Sequence, residues 1–270
     1  MSFASPSDHG GGRVRANSGS VTENVLQAEM RRIVEGIYGP PLRRLPGLDV
    51  GRAYRGAQDE FRYGGDMVDV FHYGDGCTSL AVVDITGHGM RAATNAGLAK
   101  HALRAYASRG LDARDAVRAL NRLCIENSAF ESDEEFFATV FFAIVQPDRR
   151  TMDYVSAGHE AAYIITPRRG ARTLDATGPI IGLMDDDAAF DHRVVDLRTG
   201  IILAAVTDGF TEARNASLEF LGPDALVDVI LRNEALDAEQ QAAALTRHAF
   251  DFANEQLRDD VAALVVKVAQ

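Results

Sequence analysis

The order in which apolar strands and amphipathic helices follow one another is the feature of this sequence that most restricts its fold. Strands come first, then two helices, a longer run of strands, two more helices and one last strand. The helices are predicted at about 90–108, 113–127, 223–232 and 238–256. Because single helices do not alternate with single strands, a parallel βαβ arrangement is not expected. The pattern predicts an α+β fold, in which two antiparallel sheets form a sandwich with helices outside.

The chain divides into a short N-terminal part and one large domain. Residues 1–20 are rich in glycine, serine and arginine, lack the apolar stretch of a signal peptide, and are predicted to be a disordered tail. Residues 21–44 carry apolar side chains at helical spacing and predict a short helix that serves as a linker or regulatory element. Residues 45–270 contain no repeat and no linker, so we expect a single catalytic domain with its own hydrophobic core.

Charge and composition argue against several classes of function. The chain has 28 basic and 39 acidic residues and a formal net charge of −11, so it has no general attraction for nucleic acid or for an anionic membrane. No apolar stretch approaches the ~20 residues that cross a bilayer, and we expect a cytoplasmic protein. The two cysteines, Cys77 and Cys124, form no C-x-x-C pair, which argues against a thiolate metal site.

Four aspartates lie at the ends of predicted apolar strands. Asp84 and Asp208 follow such strands, whereas Asp66 and Asp259 come shortly before them. Carboxylate oxygens suit Mg²⁺ and Mn²⁺, and the glycines beside these aspartates let the backbone come close to a ligand. Aspartate is also common in turns and at helix starts, so spacing alone leaves a structural role about as plausible as a metal site.

Two divalent cations held by such carboxylates would bring a defined chemistry. Ions about 3.5–4 Å apart bridge a water molecule, lower its pKa and direct it in line at phosphorus. No side chain then has to act as a covalent nucleophile. The metal-site interpretation therefore predicts hydrolysis of phosphate esters.

Short motifs spread over about residues 25–268 make one family stand out. They occur in this order: Tyr63-Gly64-Gly65-Asp66-Met67-Val68-Asp69, Val83-Asp84-Ile85-Thr86-Gly87-His88-Gly89, Phe137-Ala138-Thr139-Val140-Phe141, Ser156-Ala157-Gly158-His159, Thr207-Asp208-Gly209-Phe210-Thr211-Glu212-Ala213 and Asp259-Asp260-Val261. Their types and order resemble those of the metal-dependent protein phosphatases of the stage II sporulation protein E family. The resemblance implies a four-layer α-β-β-α sandwich, two antiparallel sheets flanked by helix pairs, with a site for two Mn²⁺ or Mg²⁺ ions at the sandwich edge.

The resemblance also implies a ligand set for the two ions. Carried over by position, Asp84 bridges both ions and the Ile85 carbonyl joins one coordination sphere. Asp208 and Asp259 hold the first ion, and Asp66 serves the second directly or through water. All four aspartates are therefore expected to be catalytic.

Four further residues in the motifs are assigned supporting roles. Asp69 is expected to orient the ligands, and Gly209 follows Asp208 in its motif. Asp260 is expected to cap its strand or face solvent. His88 stands where the family often has lysine, and two interpretations stay open: a proton donor that also steers the phosphate, or an exposed histidine at a helix start.

The implied activity is a protein serine/threonine phosphatase acting in bacterial stress signalling. The resemblance favours a small anti-anti-sigma-type regulator, phosphorylated on serine, as the substrate. Our hypothesis for the N-terminal helix is that it binds an activating partner or packs against a second copy of the chain. Two other functions stay open: a phosphoprotein-binding module with weak catalysis, and a metallo-phosphodiesterase.

Overall fold

A computed structural model describes residues 45–57, 64–74, 76–87, 89–130, 136–160, 162–184 and 190–269. The predicted tail, the predicted N-terminal helix and His88 lie outside the described residues. The described strands are β1 (Leu48–Arg55), β2 (Met67–Tyr73), β3 (Cys77–Ile85), β4 (Ala138–Val145), β5 (Thr151–Ala157), β6 (Ala162–Thr166), β7 (Gly170–Leu174), β8 (Arg193–Asp196), β9 (Ile202–Val206) and β10 (Val261–Val268). The described helices are α1 (Gly89–Ser108), α2 (Ala113–Phe130), α3 (Asp208–Thr211), α4 (Asp224–Arg232) and α5 (Ala238–Phe252).

The strands form two five-stranded sheets, with the orders β1-β10-β9-β6-β7 and β2-β3-β4-β5-β8. All neighbouring strands in both sheets pair antiparallel. The central strands are apolar along nearly their whole length, because each sheet is covered on both faces. The predicted fold of two antiparallel sheets with helices is therefore confirmed.

Three apolar clusters give the order of the layers. One cluster lies between the two sheets and contains Leu80, Phe141 and Leu264 among others. A second joins the β2-β3-β4-β5-β8 sheet to α1 and α2, and a third joins the other sheet to α4 and α5. The layers thus run α-β-β-α. No described helix is both long and apolar enough to cross a lipid bilayer.

Three local predictions differ from the structure. Strand β7 was not predicted, because it is an edge strand in which Leu174 alone is buried and no apolar alternation marks it. Helix α3 was not predicted either, since its four residues lie inside the Thr-Asp-Gly motif. Helix α5 begins where predicted, with a capping box on Asp237, but it ends at Phe252 instead of 256. Asn254 and Glu255 adopt positive φ angles there, which a helix does not allow.

Candidate active site

The sheet topology brings the four strand-end aspartates to one edge of the sandwich. In one sheet, Asp66 comes directly before β2 and Asp84 is the penultimate residue of β3, and these strands are paired. In the other sheet, Asp208 follows the end of β9 and Asp259 precedes the start of its neighbour β10. Since the end of one antiparallel strand meets the start of the next, each sheet contributes two carboxylates to the same edge.

A buried threonine connects the two halves of this edge. The hydroxyl of Thr207 accepts a hydrogen bond from the Ala262 N–H at 2.9 Å and donates one to Asp66 Oδ2 at 2.5 Å. Thr207 is fully buried and Asp66 is only 3% exposed, so water does not compete for this bond. Thr207 therefore fixes the orientation of a carboxylate from the opposite sheet. The sequence motif contains Thr207, but the spacing gave no sign of this partner.

The aspartates influence one another's ionisation, which shows how close they lie. Burial, followed by the charge of Asp84, raises the pKa of Asp66 well above its usual range. Burial and the charge of Asp259 raise the pKa of Asp84 to about 6. Burial and the charges of Asp84 and Asp259 raise the pKa of Asp208 to about 7. The edge is thus a region of concentrated negative potential that attracts cations.

Two glutamates add to this potential. The charges of Glu212 and Glu160 also raise the pKa of Asp208, after the effects of burial and the aspartates. Glu212 follows Asp208 by four residues, whereas Glu160 comes from the loop between β5 and β6. The sequence offered no physical role for Glu160. The structure gives it one, as part of the negative field around Asp208.

Glycines next to the aspartates allow close backbone packing. A Cβ atom on Gly65 would collide with the carbonyl oxygen of Ile85, and one on Gly209 would collide with the carbonyl oxygen of Asp260. Gly65 also accepts the hydrogen bond of the Ile85 N–H at its own carbonyl, at 3.3 Å. Gly65 and Gly209 therefore make room for neighbouring strand ends of the protein itself. Close approach of the backbone to a ligand at the glycines of the motifs stays a prediction.

Asp69 belongs to a charge cluster with helix α1. Both of its oxygens accept hydrogen bonds from Arg104, at 2.7 and 2.6 Å, and Lys100 Nζ lies 3.8 Å away. Lys100 is 2% exposed, so this carboxylate holds buried positive charge at the contact between β2 and α1. The predicted orienting role of Asp69 toward the ion-binding aspartates stays a prediction.

Asp260 is half-buried and accepts a hydrogen bond from the Ala57 N–H at 2.8 Å. Its carboxylate also lies where a side chain on Gly64 would have to go. The side chain thus ties the chain after β1 to the start of β10. The predicted role of Asp260, to cap its strand or face solvent, stays a prediction.

His159 is a buried structural residue. Its Nδ1 lies 2.9 Å from the Thr139 hydroxyl, and burial lowers the pKa of the ring to about 4. The Val206 carbonyl lies beside the ring and partly opposes this shift, although Nε2 makes no hydrogen bond of normal geometry. A ring that stays neutral near pH 7 is poorly suited to donate a proton.

The donor set at the edge fits a divalent cation in its chemistry. Its members are hard oxygen donors whose mutual repulsion a cation would offset. Within the described ranges, however, no three acidic, histidine or cysteine side chains are gathered closely enough to hold an ion. The ligand roles of Asp66, Asp84, Asp208, Asp259 and the Ile85 carbonyl therefore stay predictions.

Comparison with known families decides the classification. The family model described as Stage II sporulation protein E (SpoIIE) matches residues 74–269, well over half of the chain. The chain belongs to the SpoIIE family. The match includes Asp84, Asp208 and Asp259 and begins after Asp66.

Curated relatives of this SpoIIE-family chain are longer than the chain itself. It is 26% identical over 198 residues to Protein IcfG of Synechocystis, a match that covers 65% of this chain and 31% of IcfG. It is also 26% identical over 192 residues to phosphoserine phosphatase RsbU of Bacillus subtilis, covering 70% of this chain and 55% of RsbU. The chain thus spans from about a third to about half of these relatives.

Solved structures share the fold. The SiaA-PP2C domain of Pseudomonas aeruginosa superposes with a TM-score of 0.70 at 20% identity, covering 93% of this chain and 98% of that one. The RsbU and RsbW domains of Rv1364c from Mycobacterium tuberculosis give a TM-score of 0.67 at 23% identity, covering 85% and 61%. These likenesses agree with the two-sheet architecture described above.

Proposed function

We propose that this SpoIIE-family domain is a Mn²⁺- or Mg²⁺-dependent phosphatase that hydrolyses phosphoserine or phosphothreonine on a regulatory protein. The observation that carries the proposal is the meeting of Asp66, Asp84, Asp208 and Asp259, two from each sheet, at one electronegative edge. The name of the relative RsbU, a phosphoserine phosphatase, supports the same reaction.

In this proposal the aspartates divide between two cations. Asp84 would contact both, Asp208 and Asp259 would hold the first, and Asp66 would serve the second with the Ile85 carbonyl nearby. When bound, such ions activate water at neutral pH and stabilise the charge that develops on the phosphoryl oxygens. The ligand oxygens of the protein therefore have to be ionised and held in fixed positions.

The chain's own residues contribute to both needs. Thr207 donates to the carboxylate of Asp66, which fixes its rotamer and opposes part of the effect of burial and of Asp84 that raises its pKa. Glycine at 65 lets the strand end with Ile85 pack against the segment that carries Asp66. Pre-set ligand positions matter because misplacement by about 1 Å can cost ~10²-fold in rate.

The exposure of the edge favours a protein substrate. Asp259 is exposed and Asp84 and Asp208 are half-buried, so these three carboxylates reach the surface of the sandwich, and Asp66 alone of the four is buried. A phosphate carried on the surface of another protein can reach such an edge. The substrate that fits the family resemblance best is a small anti-anti-sigma-type regulator, in the cytoplasm. Residues 21–44 complete the proposal as the element for an activating partner or a second copy of the chain.

Loss of one carboxylate tests the proposal. We expect Mn²⁺ to stimulate phosphate release from p-nitrophenyl phosphate and from a phosphoserine protein, and EDTA to abolish it. Asp208→Asn should lower kcat at least tenfold, because it removes a charged ligand at the point where the strand end fixes it. Asp228→Asn, an equivalent change on the exposed face of α4, is the matched control and should retain wild-type turnover.

The same assay separates the two other candidate functions. A binding module would bind the phosphoprotein with equal affinity in Mn²⁺ and EDTA but release no phosphate. A metallo-phosphodiesterase would cleave bis-p-nitrophenyl phosphate faster than the monoester. Full turnover by Asp208→Asn would show that the assignment of the aspartates is wrong.

A further inference from the structure

A cavity of about 760 Å³ opens at the edge of the sandwich opposite the aspartates. It lies between the turn that joins β6 to β7 and the turn that leads from β8 into β9. Strand β9 begins beside this cavity and ends just before Asp208. Its five residues, at about 3.3 Å each, separate the cavity from the proposed active site by roughly 16 Å. The cavity is therefore a different site.

Four arginines surround the cavity: Arg168, Arg169, Arg172 and Arg198. Their side chains are exposed, and within the described part of the chain none of them forms an ion pair. A gathering of four unpaired guanidinium groups stands out on a chain with a net charge of −11. Guanidinium groups present fixed, planar sets of donors that match phosphate oxygens.

The backbone at Arg168 is strained. In this respect the β6–β7 turn differs from the β8–β9 turn at the same cavity. The first turn closes with a hydrogen bond from Arg169 N–H to the Thr166 carbonyl at 2.9 Å, with Arg168 in its third position at φ +65°. The second closes from Ile201 N–H to the Arg198 carbonyl at 3.0 Å and has Gly200 in its third position, at φ +86°. Glycine is the residue that this position favours.

An arginine where glycine would be less strained suggests that its side chain has a role. The turn directs two consecutive arginines to the cavity rim, and Arg172 is the cross-strand partner of Ile164 on β6. The turn therefore places positive charge at the cavity rim, with Arg168 in a backbone conformation that glycine would adopt with less strain.

The rest of the lining shows which kind of anion fits. The almost fully buried Ile164 and Ile201 form an apolar part of the wall. Asp196 and Glu234 add two carboxylates that can accept hydrogen bonds from hydroxyl or amino groups. The volume lies in the range of small-ligand pockets, about 300–1,000 Å³. A nucleoside polyphosphate has the matching parts: phosphates for the arginines, and a sugar and base for the carboxylates and the apolar wall.

We propose that the cavity between the β6–β7 and β8–β9 turns binds a nucleoside polyphosphate, at a site separate from the aspartate edge. Phosphate groups contact the four arginines, and the nucleoside contacts Asp196, Glu234 and the isoleucines. A small ligand is favoured over an acidic protein because the arginines, the two carboxylates and the apolar wall together match the separate parts of a nucleoside polyphosphate.

Calorimetric titration of the whole chain in EDTA tests this site without any hydrolysis. ATP is expected to bind saturably, and Arg168→Gly to weaken it at least tenfold. That variant removes the guanidinium and relieves the strained φ, so its unfolding temperature should equal or exceed that of the wild type. Arg247→Ala, which removes an exposed arginine on α5, is the charge-matched control and should change the affinity less than twofold.

Further arms of the titration distinguish the alternatives. Asp208→Asn should bind ATP as the wild type does, so that failure at this site and failure of the proposed phosphatase activity stay separate results. Tripolyphosphate that binds as tightly as ATP would overturn the nucleoside part of the proposal. ATP that does not bind, or binds Arg168→Gly equally well, would overturn it altogether. Binding of an oligoglutamate peptide in place of ATP would instead identify an interface for an acidic protein.

Discussion

Replacement of Gly65 by alanine is expected to lower phosphatase turnover by about 10²-fold while leaving the chain folded. The added Cβ would collide with the Ile85 carbonyl oxygen, so the segment before β2 has to move away from the end of β3. These two segments carry Asp66 and Asp84. A shift of about 1 Å between them misplaces two of the four proposed ligands, and misplacement of that size can cost ~10²-fold. Mn²⁺-dependent phosphate release by the purified variant measures the effect.

Gly110→Ala is the matched control for this substitution. Gly110 has a positive φ, +85°, which Gly65 does not, and a Cβ there would meet no atom within 4 Å. Alanine at this position should cost about 1 kcal/mol of stability through backbone strain and leave turnover unchanged. Circular dichroism and the unfolding midpoint show whether both variants are folded. A folded Gly65→Ala variant with wild-type turnover would contradict the proposed arrangement of ligands.

The second large effect is a reversal of relative stability between Asp208→Asn and the wild type. Without cations, burial and neighbouring carboxylates raise the pKa of Asp208 to about 7 in the folded chain, from 3.8. Between about pH 4 and 7, Asp208 therefore keeps its proton in the folded state and loses it in the unfolded state. The stability that Asp208 contributes in its protonated form is fully present below pH ~4 and is lost as the pH rises through 7. The full shift corresponds to about 4 kcal/mol, and partial solvent exposure reduces it to about 2 kcal/mol.

In EDTA at pH 8 we therefore expect the free energy of unfolding of Asp208→Asn to exceed that of the wild type by about 2 kcal/mol. At pH 5 the difference between the two proteins should be much smaller. Saturating Mn²⁺ should reverse the order, because the wild type binds the cation more tightly and gains more from it. Urea unfolding at both pH values provides the measurement. The comparison between the two proteins removes the opposite effect of His159, whose lowered pKa makes stability rise with pH below about 6.5.

Asp228→Asn controls for the loss of one acidic side chain. Asp228 lies on an exposed face of α4, where it forms an ion pair with Arg232 at 3.4 Å. Such pairs contribute little, so the variant should follow the wild type at both pH values and in Mn²⁺. An Asp208→Asn protein that is less stable than the wild type in EDTA at pH 8 would contradict the electrostatic account of the edge.

Apolar patterning was sufficient to predict most of the fold. The run from Val261 to Val268 stood out as a strand because charged and polar residues precede it and every position is apolar except Lys267. The same reasoning failed for β7, whose exposed residues carry no apolar signal. The layers could be predicted because apolar strands have to be covered on both faces of their sheet. In a sandwich of two sheets, only helices remain to cover the outer faces.

The sequence was sufficient to predict which residues belong to the candidate site, but not which hydrogen bonds they form with one another. The aspartates could be found because each stands next to a recognisable strand. Thr207 and Asp66 are 141 positions apart and belong to different sheets, so no local spacing indicates their hydrogen bond. The same holds for Asp69, whose partner Arg104 lies on a helix 35 residues away. Such contacts depend on how whole sheets and helices pack, which short-range patterns do not determine.

Anomalous X-ray scattering from crystals grown with Mn²⁺ tests the proposed site most directly. We expect two manganese peaks about 3.5–4 Å apart at the sandwich edge, with Asp84 touching both. Asp208 and Asp259 should contact one peak, and Asp66 should lie beside the other. A single peak, peaks elsewhere on the chain, or no peak at saturating Mn²⁺ would contradict the two-cation site.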